Sequence, residues 1–149
     1  MKALKLPRIA LLGLTAGVLL LATPGDAPAY RMIGNGSCRS APRPGPGLSS
    51  ARVRPLPPVG PRHRVGITLY GLHGPGGMTL IFCRRLATGY PALGPVLLLG
   101  VFTFTAPRTV SRDLVLPPSF RSGSYKVIAS MTIPPRRFPT TRIAYGIVR

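Results

Sequence analysis

The tightest constraint on this chain lies in residues 124–133, Ser-Tyr-Lys-Val-Ile-Ala-Ser-Met-Thr-Ile. Successive side chains of a strand point to opposite faces. Tyr125, Val127, Ala129, Met131 and Ile133 therefore share one side, and Lys126, Ile128, Ser130 and Thr132 share the other. One side is apolar and the other mostly polar, so this strand covers a core and turns its back to water. It reads as a central strand with its sequence neighbours built to pair with it.

The neighbours follow the same period. Residues 65–72 set Val65, Ile67 and Leu69 on one face, and residues 78–85 do the same with Met78, Leu80 and Phe82. Gly74-Pro75-Gly76-Gly77 between them is a turn signal, so the pair reads as a hairpin. Residues 87–95 read as a loop. In residues 96–105 the alternating Phe-Thr-Phe-Thr and Gly100 favour a strand over a helix. Residues 109–116 add another strand. In the last, 141–148, Ile143, Tyr145 and Ile147 alternate with Arg142, Ala144 and Gly146, placing Arg142 on a polar face. These make six strands, or seven with a short edge strand over 51–56, and there is no helical period outside the N-terminus. An all-β sandwich or barrel is the expected class.

The N-terminus reads as an export signal over residues 1–29. Lys2, Lys5 and Arg8 precede a 14-residue apolar run, 9–22, and Ala27-Pro28-Ala29 offers small residues at both cleavage-determining positions. A membrane-spanning helix needs roughly 20 apolar residues, so cleavage is expected to leave no transmembrane span. Residues 30–61, rich in Pro, Gly, Ser and Arg, read as an extended arm, because runs such as Ala41-Pro42-Arg43-Pro44-Gly45 hold neither a helix nor a central strand. The sandwich domain is expected over 62–149. Cys38 and Cys83 fit an oxidising compartment. A bridge between them would stabilise the fold by roughly 4 kcal/mol in the chain-entropy model; the alternative is two unpaired thiols.

Composition excludes much chemistry. The chain carries 20 Lys and Arg against 2 acidic residues, a formal net charge of +18. Past residue 29 the only acidic residue is Asp113, so paired-carboxylate catalysis and carboxylate-built calcium or magnesium sites fail within one chain. His63, His73, Cys38 and Cys83 lack metal-ligand spacing. There is no Gly-x-Ser-x-Gly elbow, phosphate-binding loop or dinucleotide fingerprint. The reading is a protein that is not an enzyme and needs no cofactor. What remains is surface, with arginine pairs at 52/54, 62/64, 84/85 and 136/137. Arginine forks suit phosphates and carboxylates, and the candidate anion-binding residues are Arg84, Arg85, Arg121, Lys126, Arg136, Arg137 and Arg142. Charge without a motif licenses no sequence-specific nucleic-acid recognition. GC-rich codons encode Arg, Pro, Gly and Ala, so base composition alone offers another source of the arginines. Even a translated non-coding frame would have this composition, although the leader and the repeated alternation oppose that.

The phrase Ser122-Gly123-Ser124-Tyr125-Lys126-Val127 resembles the Gly-x-Tyr-x-Val entry to the penultimate strand of immunoglobulin-like sandwiches. The resemblance implies a bacterial secreted domain of that fold, with the tyrosine hydrogen-bonded to the preceding turn. The chain departs from antibody domains in lacking tryptophan and a cysteine two residues after the tyrosine. A similar phrase occurs in small bacterial proteinase-inhibitor sandwiches, and neither match transfers a functional residue. The expected function is a secreted or envelope-associated binding module, periplasmic, cell-surface or extracellular, that contacts anionic surface polymers or another envelope protein. The alternative is a small proteinase inhibitor acting through loops 71–77 and 134–139.

Overall fold

Two antiparallel sheets form in a computed structural model that describes residues 30–135 and 138–149. The leader read in residues 1–29 lies outside the described residues, as do Arg136 and Arg137. In chain order the strands are β1 (Arg31–Ser37), β2 (Ser50–Val59), β3 (Arg62–Leu72), β4 (Gly76–Arg84), β5 (Leu93–Phe102), β6 (Arg108–Val115), β7 (Gly123–Thr132) and β8 (Thr140–Val148). One sheet runs β1-β5-β4-β7-β8 and the other β2-β3-β6. This is an all-β, sandwich-like arrangement.

The strand read first from the sequence, β7, is interior, flanked by β4 and β8. Tyr125, Val127, Ala129 and Met131 enter the core with Met78, Leu80 and Phe82 of β4 and Val65, Ile67 and Leu69 of β3. Its other face is not simply wet. Ile128 is fully buried there in a second cluster with Cys38 and Cys83, flanked by Ile81 and Ile143. The disulfide Cys38–Cys83 supplies the cover. It crosses β5, where Gly94 leaves the space: a Cβ at Gly94 would lie 3.0 Å from the Cys38 sulfur and 2.2 Å from the Phe82 carbonyl oxygen.

Three elements depart from the sequence reading. First, β3 and β4 do not form a hairpin but belong to different sheets. Alternation only says that each run has one apolar face, and two runs facing each other across a core satisfy it as well as two runs side by side. The Gly-Pro connection passes tightly beneath the end of β5, where Gly74 N–H donates to the Phe104 carbonyl and any Cβ at Gly74 would overlap the Phe102 carbonyl.

Second, segment 30–61 is built into the sheets as two edge strands: β2 contains the edge strand expected over 51–56, and β1 is the one the sequence reading lacks. β2 carries Pro55, Pro57 and Pro58, which suit an edge because proline cannot donate to a second neighbour. Between the two strands the proline-rich stretch is tied down through its carbonyls. Arg43 exchanges backbone hydrogen bonds with Thr141, the Thr140 hydroxyl donates to Pro46 O, and Leu48 is buried.

Third, β8 turns its small residues inward. Ala144 and Val148 are buried while Tyr145 and Ile147 are exposed. The cause is β2, which crosses this edge with Val53 so close to Gly146 that a Cβ there would meet Val53 Cγ1 at 2.6 Å.

Candidate functional site

Asp113 is the one acidic side chain among the described residues, and it is already engaged. Arg64 Nη2 donates to its Oδ2 at 2.9 Å and Arg54 Nη2 stands 3.8 Å from Oδ1. All three sit on the outer face of the three-stranded sheet, where Arg54 lies across Gly66 between β2 and β6. Every other described arginine and lysine lacks a carboxylate side chain to pair with. The molecule's field is therefore outward and positive.

The candidate residues separate into distinct places. Arg84 ends β4 and Arg121 lies in the β6–β7 loop; the two line one cleft. Arg85 follows Arg84 on the surface, its N–H bonded to Ser124 O. Lys126 is on the outer face of the five-stranded sheet, its ammonium 5.2 Å from the Tyr90 ring centroid, an arrangement that leaves the charge partly exposed. Arg142 is placed differently from the sequence reading. It is on the inward face of β8, where Nε donates to Ser49 O at 2.6 Å and Nη1 to Arg43 O at 3.1 Å. It acts as a clip that holds the proline-rich stretch, with its donors turned to the protein. The outward arginines of β2 and β3 were not among the candidates. Their i, i+2 spacing, Arg52/Arg54 and Arg62/Arg64, is the signal that places each pair on one face of a strand.

The cleft arises because three strands cannot cover five. With β2 against β8, the smaller sheet leaves β5 and β1 projecting at the opposite edge, and the β6–β7 loop fills part of the gap. Tyr30, at the start of β1, spans it by donating to Val115 O at 2.6 Å. Burial raises the Tyr30 phenol above its usual range, against the opposing charge of Arg62. The remaining space, about 380 Å³, lies between Met32, Leu93 and Pro95 on one side and Ser119, Phe120 and Arg121 on the other. Its floor is an aromatic trio. Phe82 meets Phe120 edge-on at 5.4 Å, and Phe120 stacks on Tyr125 at 6.1 Å.

The loop that walls the cleft is fixed twice. Tyr125 Oη donates to Arg121 O at 2.8 Å and Arg84 Nε donates to Ser122 O at 3.1 Å. The Tyr125 phenol is raised by burial, with the bond to Arg121 and the charge of Arg84 opposing the rise. Among the described residues no three of His, Cys, Asp and Glu come together. His63 Nδ1 is bonded to Arg149 O and His73 Nδ1 to Gly71 O. No helix among them is long and apolar enough to cross a membrane. No family model, curated protein or solved structure matches the chain.

Proposed function

We propose that the chain is a non-catalytic, exported binding module of immunoglobulin-like build that contacts anionic polymers of a cell envelope or extracellular space. The observation that carries this reading is the state of Asp113. The single described acidic side chain is held by Arg54 and Arg64, so the other cations have no internal carboxylate side chain to satisfy them. Guanidinium forks spread over both sheets and the loops suit a flexible chain of phosphates, sulfates or carboxylates, which can meet several at once. An acidic face of another envelope protein offers the same chemistry. The disulfide agrees with an oxidising compartment. The immunoglobulin-like element rests on the two sheets and on Tyr125, tied back to its preceding turn at the start of the penultimate strand.

The inhibitor alternative draws less from the geometry. Loop 71–77 is fastened to the body by His73 N–H on Gly47 O and Gly74 N–H on Phe104 O instead of projecting toward a protease cleft.

Binding of the oxidised protein to immobilised heparin, titrated with salt, tests the proposal. A steep loss of affinity between about 50 and 200 mM salt is expected, since several neutralised charges each release a counterion. Weak, salt-independent binding would overturn it.

A further inference from the structure

The cleft beneath β1 and β5 joins two properties that the outer faces keep apart. Its walls are apolar, with Leu93 60% exposed at the mouth and Phe120 at the floor. Its cations, Arg84 and Arg121, line the same space. No acidic residue lines it. Two carbonyls of the loop that walls it are taken, Ser122 O by Arg84 and Arg121 O by Tyr125. A volume of about 380 Å³ falls within the range of small-molecule sites. A surface that only met polymers through scattered charge would need no such recess.

We propose that this cleft binds a small amphipathic carboxylate, one carboxylate group on a compact alkyl or aryl body. Arg121 is the principal anchor, because its guanidinium has no hydrogen-bond partner among the described residues and is free to take the carboxylate as a fork. Arg84 adds charge from a fixed position, its Nε committed to Ser122 O and its terminal nitrogens available. The body lies along Leu93 and Pro95 and against Phe120, replacing water on apolar surface. This site is separate from the polymer reading and stands or fails independently of it.

Calorimetric titration of the full chain, disulfide intact, with octanoate, phenylbutanoate, octanol and acetate tests the assignment. At least one of the two amphipathic carboxylates binds about tenfold more tightly than octanol, the factor expected for a charge-assisted hydrogen bond, and more tightly than acetate, which lacks the apolar body. The tighter of the two identifies the body as alkyl or aryl. Arg121→Gln, at an exposed side chain, lowers the carboxylate affinity by about tenfold, leaves octanol unchanged, and keeps heparin affinity within about twofold because one cation of many is lost. Leu93→Glu, at the mouth, weakens octanol by removing apolar wall and weakens the carboxylates further by repulsion, and circular dichroism checks that both variants fold. Equal binding of octanol and octanoate would overturn the proposal. So would undiminished carboxylate binding in folded Arg121→Gln, or no binding of either carboxylate at millimolar concentration.

Discussion

The phenol of Tyr125 donates to the carbonyl of Arg121, four residues earlier, at 2.8 Å. This bond closes the β6–β7 loop onto the strand it introduces and holds the wall of the cleft in place. Tyr125→Phe keeps the ring in its contacts with Phe82 and Phe120 and deletes only the bond. The expected cost is about 1 kcal/mol. Urea unfolding reads it as a lower midpoint with an unchanged slope, and an unmoved midpoint would show that the loop holds without it.

The same phenol governs alkaline behaviour. Burial raises Tyr125 and Tyr30 above the ordinary value of 10.0. Above pH 10 the unfolded chain loses these protons first, so the unfolded state binds fewer protons and stability falls with rising pH. The contribution is fully present below about pH 10 and is lost as the pH rises through the folded values. Tyrosinate absorbance followed alongside circular dichroism checks this. Loss of structure accompanying ionisation of Tyr30 and Tyr125 above the ordinary value is the expected record, and ionisation of both with structure intact contradicts it.

Neighbouring positions on β7 separate the two faces. Val127 is 1% exposed inside the core, whereas Lys126 is partly exposed against Tyr90. Val127→Asp buries an unpaired charge and costs several kcal/mol, a large part of what a domain of this size has. No folded protein is expected. Lys126→Asp forfeits a cation–π contact of about 0.5–1 kcal/mol and folds. Comparable circular dichroism and solubility from both variants would show that the assigned facing is wrong.

How far the sequence reaches is clearest at β7 and β8. In β7 Tyr125, Val127, Ala129 and Met131, named from alternation, are in the core, whereas Ile128 on the opposite face is buried by the disulfide, a contact that alternation does not report. In β8 the apolar row Ile143, Tyr145, Ile147 reads as the buried one, yet Ala144 is the buried residue and Tyr145 is 66% exposed. The deciding fact is non-local, the crossing of β2, and nothing within residues 141–148 reports it. The hairpin expected from 65–85 fails for a similar reason, since strand periodicity is silent about which sheet a strand joins. At the site, Arg84 and Arg121 are near each other only because β4 ends beside the β6–β7 loop. Arg142, equally basic in sequence, is spent on carbonyls that the chain brings from far away.

The β2–β8 contact carries its own prediction. Gly146→Ala places a Cβ 2.6 Å from Val53 Cγ1 and 2.8 Å from Val53 Cβ, with a buried, branched side chain that has little freedom to move. The expected loss is about 1–3 kcal/mol. Gly77→Ala is the matched control, since an added Cβ there meets nothing within 4 Å and its φ is not left-handed. It should be neutral or stabilising by about 0.4–1 kcal/mol. Thermal unfolding of the two variants side by side checks the difference, and equal shifts would mean that β2 does not press on β8 in solution.

The disulfide offers the largest effect. Cys38 and Cys83 are 45 residues apart and their bridge covers Ile128. Constraining a loop of that length accounts for roughly 4 kcal/mol by reduced entropy of the unfolded chain. Reduction under native conditions therefore lowers stability by about that amount, and it also uncovers the second cluster, where Ile81 and Ile143 flank Ile128. Gly94→Ala tests the close approach of the bridge to β5. Its Cβ would crowd the Cys38 sulfur and, more severely, the Phe82 carbonyl in the β4–β5 region, so part of its cost is independent of the bridge. If the bridge lies tightly over β5 at Gly94, Gly94→Ala destabilises the oxidised protein more than the reduced one, as measured by urea midpoints with and without reductant. If the two midpoints drop equally, the space at Gly94 serves the strand alone.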